Sequence, residues 1–426
     1  MALADALFLD GAKQDALPEY LKAADLNPKN VTAWSNAGAI LQQLGRHEEA
    51  LGALNKALAL DPKHALSLNN TGLAFSELGE FGLARECLNM AVEVKPDYEA
   101  ARWNRAILDL LHGDYTRGWE GHELRHVQLG RIGGLRTFPE PRWNGERFDG
   151  KRLLIWPEQG LGDQLQFIRF LPRVKALGGT VVLMCAAPLR DMFRALVPSA
   201  DEVVVTDTPY EACDLQAPLM SLPYILGLGD ELDSACVPYL RPVGEMPAQI
   251  GGVLTNSSRK PRVGVVWAGQ PKHQNDANRS INLDIFSKMF DCSDVEWYSV
   301  QKGEAAETRL AELNVRRASE LAPTIAGLGP LFMSFMDTSH ALSRLDLVIT
   351  VDTAVAHLAG AMGIPCWVLL PFNPDWRWQI TRSDTPWYPS LRLFRQPKRG
   401  EWDSVIAHVM RELSFFAGSH PVNAAA

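Results

Sequence analysis

Positive charge is in short supply. Lysine and arginine total 42 against 50 aspartates and glutamates, a formal net charge of −8. That balance argues against nucleic acid as a partner, because phosphate backbones are bound by concentrated positive charge. Cysteine is sparse as well. The six, at positions 87, 185, 213, 236, 292 and 366, include no C-x-x-C pair. They supply neither a zinc-ligand spacing nor a disulfide framework, and read as reduced core residues of a cytoplasmic protein. No apolar run approaches membrane-spanning length, and no basic-then-apolar signal opens the chain, so no integral membrane segment is expected. What remains is ample. The chain has 426 residues, 46% of them hydrophobic, enough for roughly two to four domains.

The first 126 residues carry a 34-residue period. Trp34, Gly38, Leu41, Gly45, Ala50, Leu54, Ala57 and Pro62 recur as Leu68, Gly72, Phe75, Gly79, Ala84, Leu88, Ala91 and Pro96. Small residues fall where two helices would cross, and large ones fill the layer between them. The pattern resembles the tetratricopeptide repeat. Gly11, Ala16, Tyr20, Ala23 and Pro28 fit the second half of an earlier unit, which reads as a capping variant or a truncated N-terminus. The unit from Glu99 is degenerate. Arg102, Arg105 and Asp109 stand where apolar groups are expected, and Gly118 replaces the alanine. Such an array binds a protein, mediates self-association into a homo-oligomer, or serves as a rigid spacer.

Residues 127–149, rich in Gly and Pro, read as a linker. Strand and helix then alternate, which implies a mostly parallel sheet. RLLIWP (152–157), TVVLMC (180–185) and EVVVTD (202–207) are the strands, and QLQFIRFLPRVKAL is a helix. The loop Glu158-Gln159-Gly160-Leu161-Gly162-Asp163 follows the first strand, at the end where open α/β sheets hold ligands. A dinucleotide fingerprint fails: Leu165 occupies its third glycine position, and no acid ends the second strand. The loop therefore presents two carboxylates. Asp163 either caps the next helix or acts as a general base.

Residues 243–260 read as a hinge, after which the alternation resumes. The segment Asp346–Leu370 reads as strand, turn, helix, strand. Asp352 and Thr353 precede a helix whose first turn lacks a capping box. Its exposed amides and positive dipole end suit a pyrophosphate, with Ala354 in the first turn and His357 within reach; the plain alternative is a buried βαβ unit. The loop QPKHQNDANRS (270–280) offers Lys272, Arg279 and Ser280 to a phosphate, or is merely a solvated loop. Gln301, with Lys302 and Gly303, either reads a nucleobase or ribose or forms a turn. Asp375, Trp376 and Arg377, with Trp378, Trp387 and Tyr388, suit a sugar face or a clasp between lobes. Trp402 to Phe416 is an amphipathic helix, expected to pack back on the first lobe.

These residues resemble a known group. GLGD (160–163) and VDTAVAHLAGAMGIP (351–365) are similar to motifs of the bacterial lipopolysaccharide heptosyltransferases. The whole chain, with WPEQGLGDQLQF, DLQAPLMSLP, VGVVWAGQPKHQND, RSINL and LLPFNPDWRW, resembles bacterial proteins that fuse tetratricopeptide repeats to such a domain. Some of these resemble flagellin glycosyltransferases. The resemblance implies an α/β B-type glycosyltransferase fold preceded by an all-α repeat array at 1–126. An N-terminal Rossmann-like acceptor lobe would span 150–242 and a C-terminal nucleotide-sugar lobe 261–426.

It also implies roles. Asp163, with Glu158, would be the catalytic carboxylate. Lys272, Arg279, Ser280, Gln301, Asp352, Thr353, Ala354 and His357 would face the donor. Gln159, Gly160, Gly162, Gln164, Asp375, Trp376 and Arg377 would face acceptor or sugar. The phosphate-side lysine of heptosyltransferases has no clear match, and Arg279 is the candidate substitute. No D-x-D pair occurs in the chain, so neither a metal nor a resident cofactor is expected, with the nucleotide-sugar as substrate. The expected function is inverting transfer of a sugar to a protein hydroxyl. The alternatives are transfer to a lipopolysaccharide or other glycolipid, and a non-catalytic scaffold that senses a nucleotide-sugar.

Overall fold

The 34-residue period resolves into paired helices. The computed structural model describes residues 1–127, 136–255, 260–273 and 275–419. They divide into two units, Met1–Leu135 and Arg136–Ala426. The first contains α1 (Ala2–Leu9), α2 (Lys13–Leu26), α3 (Val31–Gln43), α4 (His47–Leu60), α5 (Ala65–Glu77), α6 (Phe81–Val94), α7 (Glu99–Leu111) and α8 (Tyr115–His122). One glycine closes the first helix of every pair. Gly11, Gly45, Gly79 and Gly113 all take a left-handed backbone, with φ between 76° and 82°. After α3, the Gly45 and Arg46 amides bond back to Gln42 and Leu41. This reciprocal closure satisfies the last helical carbonyls, and glycine adopts its geometry without steric cost.

Inside the two middle pairs a second glycine lets the helices touch. A β-carbon on Gly38 would lie 2.6 Å from Leu54, and one on Gly72 would lie 2.8 Å from Leu88. Around these contacts Trp34, Ile40, Leu41 and Leu54 form an apolar layer with Ala37, Ala50 and Ala57. Gly118, the departure in the last pair, has its own reason: Leu110 would sit 2.4 Å from any β-carbon there.

The second unit holds two all-parallel sheets. Strands β1 (Arg152–Trp156), β2 (Thr180–Cys185), β3 (Glu202–Val205) and β4 (Leu215–Pro218) run in the order β3-β2-β1-β4. Strands β5 (Arg262–Val266), β6 (Glu296–Ser299), β7 (Ala326–Gly327), β8 (Leu347–Val351), β9 (Cys366–Leu370) and β10 (Leu391–Arg395) run β10-β9-β8-β5-β6-β7. β8 and β9 are buried along their whole length, as apolar runs in central parallel strands require. Strand order reverses between β1 and β4 in one sheet and between β5 and β8 in the other. Open parallel sheets bind ligands beyond the carboxyl ends of such strands.

Several boundaries differ from the sequence reading. Residues 136–149 are not a free linker: Trp143 donates its amide to Gln216 at 2.8 Å, and Trp143 and Phe148 are buried. The hinge contains a helix, Ala248–Leu254, with Ile250 and Leu254 buried; residues 256–259 lie outside the described residues. The C-terminal helix, Trp402–Ser419, packs on the second sheet rather than the first lobe. Trp402, Val405, Ile406, Val409 and Leu413 share a core with Val263, Phe286 and Phe394. Of the cysteines, Cys185 and Cys366 are buried but Cys236 is exposed, so the core reading fails there. Among the described residues no helix is long and apolar enough to cross a membrane.

Candidate functional site

Both strand-order reversals open onto one cluster of charges. After β1 the chain turns at Gly160 into α9 (Leu161–Phe167), so Asp163 lies in a first helical turn and not in a loop. Its carboxylate closes that turn by accepting the Gly160 amide at 2.8 Å. The other oxygen accepts from Arg377 at 2.5 Å. Arg377 also donates to Asp375 at 2.9 Å and to Gln166 at 2.7 Å, and its guanidinium lies 4.2 Å over the Trp376 ring. Burial pushes the Asp163 carboxyl above its usual range, and Arg377 pulls it back. Burial also opposes the Arg377 charge, but Asp375 and Asp163 outweigh it, so the cation is held firmly.

After β8, Thr353 sits at the N-cap of α10 (Ala354–Ala361) without capping it. Its hydroxyl lies 3.1 Å from that of Thr350 instead. The capping box is absent, as the sequence predicts, but Thr353, which the sequence also offers as a cap, does not close this helix start, and Asp352, Thr353 and Ala354 are half-buried. The two helix starts meet. A β-carbon on Gly162 would lie 2.7 Å from the His357 ring and 3.6 Å from Ala354. Only glycine permits this approach, which brings Asp163 toward the β8 turn.

Asp352 feels Asp375, Arg279 and Arg377. Burial first, and then the Asp375 charge, push its carboxyl up to about 6. A carboxyl raised on folding binds its proton more tightly folded than unfolded, so it contributes stability at low pH that is lost as pH rises from about 4 through about 6. His357 acts oppositely, because burial lowers its pKa well below the usual value. The protein with Asp352→Asn is therefore expected to gain Tm over the unmodified chain as pH rises from 4 to 7. Parallel melting curves across that range check it; a constant difference contradicts the shift.

The phosphate loop is partly as expected. Ser280 accepts the Gly269 amide and donates to Asp276, both at 2.9 Å. Arg279 is 3.5 Å from Asp276 and mostly buried against Gly269. Lys272 and His273 are exposed. His273 senses both Arg279 and Asp163, and partial burial lowers its pKa.

Other predicted contacts are corrected. His357 is buried, bonded to the Tyr388 hydroxyl at 3.0 Å and stacked on Trp378, so it props the helix rather than reaching an anion. The buried Gln301 amide oxygen accepts the Trp267 and Ala268 amides at 3.1 and 3.0 Å, so it pins the end of β5 and is not aimed at a base. Gln164 accepts the Ala186 amide at 2.9 Å, and Glu158 accepts the Met220 amide at 3.2 Å. Both carry backbone ties. Gln159 and Gly160 are exposed. Trp376, Trp378, Trp387 and Tyr388 are all buried, which makes them the clasp rather than a sugar face.

Sequence reasoning missed Arg169. It is buried yet donates to the carbonyls of Gln166, Leu232 and Trp387 and to the Tyr239 hydroxyl, at 2.9 to 3.2 Å. Its guanidinium also lies 4.7 to 5.3 Å over Tyr388, Tyr239 and Trp387. An arginine inside the apolar run FIRFL was the available signal.

The family model and the solved structures bear on the first unit, and a curated relative extends into the second. The tetratricopeptide repeat family matches residues 30–97. A curated relative, Protein FlbA of Caulobacter vibrioides, is 28% identical over 352 residues, which is 76% of this chain and 56% of the relative. The chain thus spans about half the length of that relative. Among solved structures, a tetratricopeptide repeat protein from Parabacteroides merdae is 26% identical over 31% of this chain and 57% of its own, with a TM-score of 0.27. MamA from Desulfovibrio magneticus is 21% identical over 31% of this chain and 73% of its own, with a TM-score of 0.26. The N-terminal unit is a tetratricopeptide-repeat array, a fold that suggests protein–protein interaction, and an α/β region of parallel sheets follows it.

Proposed function

We propose that the second unit is a B-type glycosyltransferase domain, with two Rossmann-like lobes, that moves a sugar from a nucleotide-sugar to a hydroxyl of an acceptor protein recruited by the repeats. The observation that carries this reading is the convergence of both strand-order reversals on Asp163, Arg377, Asp375 and Asp352, beside a helix start that no side chain caps. Asp163 accepts the proton of the attacking hydroxyl. The hydroxyl oxygen bonds to the anomeric carbon as the bond to the diphosphate oxygen breaks, and that electron pair leaves with the nucleotide. One displacement inverts the anomeric centre. The amides at the start of α10, with Arg279, stabilise the charge that grows on the leaving group. The Asp163–Arg377 pair opens as the acceptor enters, and Asp375 retains the guanidinium.

The test is a thermal-shift panel of nucleotides and nucleotide-sugars, followed by label transfer to acceptor protein with and without chelator. A stabilising donor whose sugar is transferred despite chelation is expected. Loss of transfer on chelation, restored by manganese, overturns the metal-independent mechanism. No stabilisation by any donor overturns the reading itself.

A further inference from the structure

The repeat array carries a charged cleft where its own period calls for an apolar layer. A cavity of about 350 Å³ lies among α6, α7 and α8, and Arg85, Arg102, Arg105, Arg117, Asp109 and Glu120 line it. Stepping back 34 residues from four of these gives Leu51, Leu68, Phe75 and Leu83, in place of Arg85, Arg102, Asp109 and Arg117. Of these, Leu68 is buried in its own unit, Leu51 and Phe75 are half-buried, and Leu83 is exposed. The substitutions are therefore concentrated where α6 of one pair meets α7 and α8 of the next, while the layer built on α2 to α4 stays apolar. Burying charge in such a layer is costly without a partner.

Part of that cost is met internally. Asp109 is almost fully buried and pairs with Arg85 at 2.6 Å. Burial raises its carboxyl pKa, and Arg85, Arg105 and Arg117 oppose the rise. Four arginines against two carboxylates leave the lining with a net charge of +2 (4 − 2), or +1 (4 − 3) with Asp114, which lies 3.5 Å from Arg117, in a chain whose net charge is −8.

We propose that this cleft binds the side-chain carboxylates of an acidic peptide segment on a partner protein. Guanidinium groups grip carboxylates with two parallel bonds. The volume lies at the small end of ligand sites and suits a few side chains rather than a folded surface. Asp109 and Glu120 repel a densely charged polyphosphate, and the exposed Glu120 can accept N–H groups from an extended backbone.

The experiment uses the full chain and a fluorescein-labelled peptide of alternating Asp and Glu, with its Asn/Gln counterpart as control, read by anisotropy. The acidic peptide is expected to bind, more weakly as salt rises, and the control not to bind. Arg102→Leu with Arg105→Thr installs the residues that the preceding unit carries at the same positions, so the fold is kept, as a cooperative melt would verify. This variant should weaken binding about tenfold or more. Arg46→Ala, which removes an exposed charge paired with Glu49 elsewhere in the array, should leave binding unchanged. Absence of binding at millimolar peptide, equal binding of both peptides, equal affinity in the double variant, or tighter capture of inorganic pyrophosphate than of the peptide would each overturn the assignment.

Discussion

Asp163→Asn is expected to lower sugar transfer by about 10²- to 10⁴-fold, the range for removing a positioned general base. Donor binding should persist. The reasoning is local. Asparagine keeps an oxygen to accept the Gly160 amide, so the turn into α9 survives. Arg377 loses one carboxylate and meets an amide NH2 in its place, but keeps Asp375 at 2.9 Å and Gln166 at 2.7 Å, so no buried cation is orphaned. The charge that could take a proton is the chief loss. Turnover measured alongside nucleotide-sugar affinity checks this, with a thermal melt to exclude unfolding. A variant that binds donor and still transfers within tenfold of the unmodified rate would remove Asp163 from the chemistry.

Arg169→Ala should destabilise the second unit by on the order of 4 kcal/mol, near the top of the range for one substitution. Each hydrogen bond from a charged donor contributes about 1.5–3 kcal/mol, and a buried acceptor left empty costs about 1–3 kcal/mol. Arg169 serves the carbonyls of Leu232 and Trp387 at once, and three aromatic rings face it. Arg169→Lys should recover only part of the loss, because an ammonium cannot reproduce the planar fork. Denaturant midpoints for the three proteins decide it. A loss under about 1 kcal/mol would mean that water replaces the guanidinium.

How much of this was legible depended on range. The repeat period was plain because every pair spends a glycine at the same left-handed position, from Gly11 to Gly113. Strands β1, β2, β5, β8 and β9 were plain because buried parallel strands need unbroken apolar runs. The candidate site was half visible. Its loops follow from strand order, but Gln164, Gln301 and Glu158 were misjudged, since a polar side chain just beyond a strand end or in the helix that follows suits a ligand and a neighbouring amide equally well. Gly160 and Gly162 suggested a loop where a helix begins, because its cap is Asp163 three residues on. For Arg169 the run FIRFL marked a buried arginine but not its partners: its acceptors at Leu232 and Trp387 lie 63 and 218 residues away. The C-terminal helix displayed a sticky side without naming what it adheres to.

Arg169 also constrains how the second unit can move. Carbonyls and ring faces tolerate changes of angle better than a bidentate carboxylate does, but none tolerates withdrawal of the cation. Trp387 and Tyr388 of one half close over a cation borne by the other, and prising them apart would strand a positive charge in oil. On the proposed reading, a path for substrate between the halves would therefore have to open away from this contact, which stays made with the Trp387 carbonyl.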